Sequence, residues 1–251
     1  MRIDKYLSQK FGSRTKAAQA IESGLVLVNG KVVSPSFEVR ENDDLVFLEA
    51  EESYVSLGGY KLSKALKEFD FNVSGKVFAD IGASTGGFTD CLFQRGALKV
   101  YCVDVGESQL DQKLKSKNIV VYDNFNARNL EKSMFDESLD GAVIDVSFIS
   151  LTYILDKVAA VLDDGKFVIA LIKPQFECES RNVGKNGIVK DSKTREKIIE
   201  KIYNFAIGCK LAPKKLTTAP LIKGKNAEFL ILLEKGGAPI DINNIKKSVK
   251  L

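Results

Sequence analysis

The sequence predicts an α/β protein: a mostly parallel sheet with helices on both faces, preceded by a small α+β module. Three observations lead there. From residue 77 to residue 207, short apolar runs alternate with helix-like stretches, the pattern of strands joined by crossover helices. Runs such as "FVIALI", residues 167–172, are apolar without interruption, as in strands buried on both sides. Residues 1–52 carry a different pattern and a different charge, and they separate from residues 53–251 as a domain.

The N-terminal module is legible from cap and turn signals. Arg2 to Lys10 can form a short helix with Ile3, Tyr6 and Leu7 on one face. "GSRTKAAQAIESG" reads as a helix with Ser13 at its N-cap and Gly24 as terminator. "LVLVNGKVVS" reads as a hairpin turning on Asn29-Gly30, and "DDLVFLE" as a further strand. Charge is uneven along this stretch. Up to Ser34, Arg2, Lys5, Lys10, Arg14, Lys16 and Lys31 face only Asp4 and Glu22; from Phe37 to Ser53 acids dominate. A basic side suits a polyanionic partner, although an unevenly charged solvated surface fits the charges equally well. The order of elements resembles the small RNA-binding fold first seen in a ribosomal small-subunit protein. That resemblance implies RNA-backbone contacts from Arg2, Lys5, Arg14, Lys16 and Lys31, which position RNA without reading its sequence.

In the larger domain, strands are expected at residues 77–81, 99–105, 119–122, 141–146 and 167–172, and helices at 87–95, 108–115, 151–162 and 193–207. The end of the chain breaks the alternation. "KKLTTAPLI" and "AEFLILLEK" are separated only by "KGKN", which predicts an antiparallel hairpin. Five parallel strands closed by such a hairpin resemble the seven-stranded sheet of S-adenosylmethionine-dependent methyltransferases.

"DIGASTGGFTD", residues 80–90, follows the first strand of that sheet. It lacks the middle glycine of a dinucleotide fingerprint, where Ser84 stands, and it lacks the lysine of a P-loop. It has instead an acid, Asp80, at the strand end. A carboxylate there suits a cationic sulfonium and ammonium and repels a pyrophosphate. A glycine-rich turn with Asp80 as a polar cap is the plainer reading of the loop alone. Asp104 ends the second strand, roughly twenty residues past the glycine turn, where an acid can grip ribose hydroxyls. The expected S-adenosyl-L-methionine contacts are Asp80, Gly82, Ser84, Thr85, Gly86, Gly87, Phe88, Asp104 and Val105, with Asp123, Asn124 and Asn126 bracketing the adenine.

Four charged residues stand where a methyl acceptor would lie. Asp145 and Lys173 end the fourth and fifth strands, Glu228 starts the last strand, and Lys61 opens the first helix of the domain. Ligands of open α/β sheets bind beyond the carboxyl ends of the strands. Each residue singly fits a solvent anchor as well. As a set, Lys61, Asp145, Lys173 and Glu228 resemble the tetrad of the FtsJ-like ribose 2′-O-methyltransferases. "YVSLGGYKL", "DVSFISL", "IKPQFE" and "NVGKNGIVKD" further resemble the TlyA family, with a departure at Leu57, where that family often has arginine. The resemblance implies cytidine 2′-O-methylation of ribosomal RNA in ribosomal subunits; from the residue chemistry the expectation is Lys173 as base, Asp145 orienting it, and Lys61 and Glu228 holding ribose and phosphate.

Composition narrows the chemistry. His is absent, which leaves Lys, Asp, Glu, Tyr or Cys for proton transfer. The four cysteines lack the close spacing of a zinc site, and no metal is expected. "MRIDKYL" is not a secretion signal and no run can span a bilayer, so the expectation is a cytoplasmic protein without membrane insertion. Residues 175–190 are expected to form a mobile loop that orders over RNA, with Lys185, Lys190, Lys223 and Lys225 at its rim, and residues 51–56 to form the linker. Two other function classes remain at this point: a non-catalytic RNA-binding or ribosome assembly factor, and a membrane-active haemolysin, a label the family has long carried.

Overall fold

The structure is a computed structural model of the 251-residue chain. It describes every residue except 23–25, 30, 48–53, 116, 185, 222–223 and 250–251, and not the side chains of Lys16, Gln19, Glu22 and Lys31. Gly24, Gly30, the first half of the expected linker, Lys185 and Lys223 therefore lie outside the described residues.

The N-terminal module contains α1 (Ile3–Tyr6), α2 (Arg14–Glu22), β1 (Val26–Val28), β2 (Lys31–Val32) and β3 (Leu45–Phe47). The first helix is a single turn, shorter than the expected span of 2–10. β1 is the central strand, antiparallel to both β2 and β3. Among the described residues, Ile3, Leu7, Ala17, Ala20, Ile21, Val26 and Val28 form the buried core, a thin one for an independent module.

Next come α3 (Leu57–Phe69), β4 (Val77–Ile81), α4 (Gly87–Gln94), β5 (Lys99–Val103), β6 (Ile119–Tyr122), β7 (Gly141–Ile144), α5 (Leu155–Val161) and β8 (Phe167–Ile172). The chain continues through α6 (Pro174–Glu177), α7 (Ser192–Gly208), β9 (Leu211–Thr218), β10 (Phe229–Lys235) and α8 (Ile242–Lys246). The seven-stranded sheet has the order β6-β5-β4-β7-β8-β10-β9. β4 to β8 are parallel, and β10 runs antiparallel between β8 and β9. The expected hairpin is present, with its second strand inserted next to β8.

Alternation along β4 shows why the apolar runs are continuous. Val77, Ala79 and Ile81 pack with Leu155, Val158, Ile199 and Ile202 of α5 and α7. Phe78 packs on the opposite face with Leu62, Leu66, Phe88 and Leu92 of α3 and α4. Both faces are covered, so polarity on the strand is costly, and its one polar side chain, Asp80, is held by Thr89.

Two expected helices differ. Only a 3-10 turn, Gln112–Leu114, occupies the 108–115 stretch. Its residues are committed to the glycine loop: Ser84 Oγ donates to Gln109 Oε1, and the Asp111 amide donates to the Thr85 carbonyl. Ser108, with φ +51°, also breaks any helix there. The 151–162 helix splits into a 3-10 turn, Leu151–Tyr153, and α5. Strands β5 and β7 end two residues earlier than expected, at Val103 and Ile144, with Asp104 and Asp145 following directly and lining the cleft.

Candidate functional site

β4 sits where the strand order reverses, with β5 on one side and β7 on the other. Crevices form at such switch points because the loops leave in opposite directions. Here the crevice is a cleft with a larger part of about 320 Å³ and a smaller part of about 160 Å³. Gly82, Ser84, Asp145 and Ser147 line both parts and join them.

The glycine loop owes its shape to close approaches. Gly82 has φ +83°, and a Cβ there would meet the Asp145 carbonyl oxygen at 2.6 Å. Gly87 abuts Gly58 and Gly59 at the start of α3, and a Cβ there would strike the Ser56 hydroxyl. Only glycine lets β7 close on the loop and lets the N-termini of α3 and α4 meet. Ser84 is left-handed, φ +47°, and points its amide at Asp104 Oδ2, 2.8 Å away. The other Asp104 oxygen accepts from the Gly106 amide at 2.7 Å.

Asp80 lies beneath the loop, fully buried. Its Oδ2 accepts from Thr89 Oγ1 at 2.6 Å, while Oδ1 has no hydrogen-bond partner. Burial, aided by the Asp145 and Asp104 carboxylates, pushes its carboxyl up to about 7. Three acids thus converge on one glycine-rich turn. A buried, unpartnered carboxylate oxygen in such a cluster suits a cationic ligand and disfavours an anionic one.

The remaining expected cofactor residues divide. Thr85, Gly87 and Phe88 line the smaller part, and Val105 and Asn126 line the larger part. Gly86 caps α4 in a left-handed conformation behind them. Asp123 and Asn124 line neither part. Asp123 accepts from the Ser108 amide, and Asn124, φ +55°, donates its amide to the Gly106 carbonyl. They hold the loop after β5 in place from outside the cleft.

The four charged residues stand on one edge as two ion pairs. Lys173 Nζ lies 2.6 Å from Asp145 Oδ1 and donates to Ser147 Oγ at 2.8 Å. Lys61 Nζ lies 2.6 Å from Glu228 Oε2. The antiparallel register puts Phe229 opposite Ile172, which brings Glu228 level with Lys173. Asp145 and Lys173 line the cleft; Lys61 and Glu228 do not.

Two features had no sequence signal strong enough to find them. Phe148, in "DVSFISL", is left-handed with φ +63°, 90% exposed, and lines the larger part of the cleft. Its ring sits 5.0 Å from that of Phe176. A bulky residue in that conformation is strained. Glu177 is buried and accepts from Ser150 Oγ at 2.5 Å, the Leu151 amide at 2.7 Å and Lys201 Nζ at 3.4 Å. It fastens the segment after Lys173 to the segment after Asp145. The stretch expected to be a mobile loop thus begins as a pinned turn of helix, and further on Asn226 clasps it, accepting from the Val189 amide and donating to the Gly187 carbonyl.

The second half of the expected linker docks on the larger domain. Tyr54 is buried, 5.1 Å from the Tyr60 ring, and the Val55 amide donates to Asp90 Oδ2. In the N-terminal module, Arg2 and Arg14 come together on Asp4. Lys5 and Lys190 are exposed and not part of that group. The side chains of Lys16 and Lys31 lie outside the described residues.

The FtsJ-like methyltransferase family matches residues 54–235, and the S4 domain matches residues 1–45. Hemolysin A of Brachyspira hyodysenteriae is 42% identical over 92% of this chain and 98% of its own length. The 23S rRNA (cytidine-2′-O)-methyltransferase TlyA of Campylobacter jejuni is 34% identical over 91% of this chain and 97% of its own. A solved chain from Streptococcus thermophilus with a provisional hemolysin label superposes with a TM-score of 0.75 at 39% identity, covering 98% of this chain and 94% of that one.

Proposed function

This chain belongs to the FtsJ-like methyltransferase family and carries an S4 domain ahead of it, and from that premise we propose how it methylates ribosomal RNA. It is an S-adenosyl-L-methionine-dependent ribose 2′-O-methyltransferase acting on cytidine. The observation that carries the mechanism is the Lys173–Asp145 pair in the wall of an acid-lined cleft. Bound S-adenosyl-L-methionine supplies an electrophilic methyl on a sulfonium.

The residues divide the remaining work. Asn126 and Val105, in the wall of the larger part, would hold the nucleoside, and Asp104 would take its ribose hydroxyls. Ser84, Thr85 and Gly87 would hold the cationic end in the smaller part, with Asp80 buried beneath the loop supplying negative charge without lining the cleft. The acceptor ribose enters over Lys173. Lys173 Nζ would take the 2′-hydroxyl proton as an uncharged amine, having first released its own proton to solvent. Asp145 and Ser147 fix where that nitrogen sits, since in-line displacement depends on positioning. Lys61 and Glu228 hold the ribose and its phosphate, and the exposed Phe148 ring offers a stacking face to the target base. Arg2, Lys5, Arg14, Lys16 and Lys31 of the S4 module, with Lys185 and Lys190, hold the RNA backbone. The substrate is ribosomal RNA in a ribosomal subunit, and the protein acts in the cytoplasm; the boundary between the modules, expected at residues 52 and 53, lies outside the described residues.

The test is K173A with purified ribosomal subunits and labelled methyl donor. Cofactor binding by calorimetry is expected to survive, and methyl transfer to disappear. Near wild-type transfer by K173A removes Lys173 from the chemistry. Among the described residues no helix is long and apolar enough to cross a membrane. A liposome leakage assay on the same preparation separates a lytic activity from methyl transfer.

A further inference from the structure

Asp4 is an acid on the basic side of the S4 module, and it is 4% exposed. Its backbone is fixed by α1 and by hydrogen bonds to the opposite segment: Ile3 to the Phe37 carbonyl and Asp4 to the Pro35 carbonyl. Arg2 presents one edge of its guanidinium to both carboxylate oxygens, Nε to Oδ1 at 3.2 Å and Nη2 to Oδ2 at 2.8 Å. Arg14, the first residue of α2, brings Nε and Nη2 to the same Oδ2, each at 3.1 Å. One buried carboxylate thus joins two helices through two arginines.

The arginines themselves are not buried; their side chains are 48% and 56% exposed. A guanidinium has five N–H donors in a planar fork. Asp4 uses the inner edge of each fork. The outer edges have no partner among the described residues and face solvent. The bond from Arg2 holds the Asp4 carboxyl down to about 2, so the clamp keeps its charge across the working pH range.

We propose that Asp4 is a positioning residue for RNA: it sets the two guanidiniums at a fixed separation with their outer edges aimed at the RNA backbone. This rests on the RNA-methyltransferase reading and adds to it the device that orders the S4 contact. Flexible arginines lose rotamer freedom when they grip a phosphate. Here that freedom is lost on folding, so the RNA contact does not bear the cost. Asp4 also cancels one of the two positive charges. If charge alone held the RNA, removing the carboxylate would tighten binding; if geometry holds it, removal loosens binding despite the added net charge. The two accounts differ in sign.

The experiment uses the full chain and its D4N variant. RNA affinity is measured directly by fluorescence anisotropy on labelled ribosomal RNA, alongside KM for RNA, kcat and cofactor affinity. D4N is expected to raise the RNA Kd and KM about tenfold, with kcat at saturating RNA and cofactor affinity close to wild type. An unchanged or lower Kd overturns the proposal. If D4N unfolds the module, as circular dichroism would reveal, R2K/R14K serves instead. It keeps both charges and the carboxylate but removes the forks, and the same rise is expected; wild-type affinity in that variant also overturns the proposal. Should the wild-type protein bind RNA but transfer no methyl group, the reaction assignment fails while the anisotropy comparison still judges Asp4.

Discussion

Two lysine–carboxylate pairs stand on the same sheet edge with the same 2.6 Å separation, and they do different work. Lys173 and Asp145 follow neighbouring parallel strands and line the cleft, and Lys173 also donates to Ser147. Lys61 and Glu228 join the first helix of the domain to the residue before β10 and do not line the cleft. An ion pair's chemistry is therefore set less by its length than by what lies beside it. The first pair adjoins the cofactor loop; the second clips two distant parts of the chain together at the rim.

The sharpest way to break this contrast is to remove one lysine at a time. K173A is expected to lower kcat by at least about 10³-fold, the range for loss of a general base, and K61A by about tenfold to a hundredfold with a higher KM for RNA. Equal losses would show that the two pairs act as one unit.

A pH titration then isolates the cofactor end from both lysines. Asp80 has its carboxyl raised to about 7 by burial, and a cationic ligand favours its ionised form. Cofactor affinity is expected to fall about tenfold per pH unit below 7, reaching roughly a hundredfold at pH 5, and D80N is expected to flatten that profile. Without cofactor the stability trend has the opposite sense. Between about 4 and 7 the folded state binds the extra proton, so ∂ΔG/∂pH from this group is negative. Its contribution is fully present at low pH and is lost as pH rises toward 7. Calorimetric melts of wild type and D80N across that window check the sign.

F148A probes the acceptor side of the cleft. Stacking on one base is worth about 1–3 kcal/mol, so KM for RNA is expected to rise by about fivefold to about 150-fold while cofactor affinity stays put. The smallest effect concerns the brace between the two strand-end segments. Glu177→Gln keeps the shape but weakens the bonds to Ser150, Leu151 and Lys201. The expected cost is about 1–2 kcal/mol of stability by chemical denaturation, with a few-fold loss of kcat because Lys173 and Asp145 shift relative to each other.

Where the sequence was readable, and where it was not, follows from the range of the interactions involved. β4 and β8 are legible to the residue, because a strand covered on both faces is apolar almost throughout, with Asp80 of β4 the one buried charge. The cleft acids were visible as acids at strand ends. The 108–115 helix was not to be had from periodicity, since Gln109 and Leu110 are held by a loop more than twenty residues earlier. Asp123 and Asn124 follow a strand as Asp104 does, but they brace a loop from outside. Phe148 is an ordinary letter until its exposure and its left-handed backbone are seen together. Asp4 counted only as a stray acid among bases until two arginines were found on it.

The chain's own letters determined the alternation of strands and helices, the glycines at the first loop, and the set of charged residues at strand ends. Those properties depend on local sterics and on which residues tolerate burial. Tertiary structure alone decided which of those residues share one cleft, how the lysines divide between two acids, and which arginines lock together. Strand order and loop closure bring positions tens to more than a hundred residues apart within hydrogen-bond reach, and no local pattern encodes that distance.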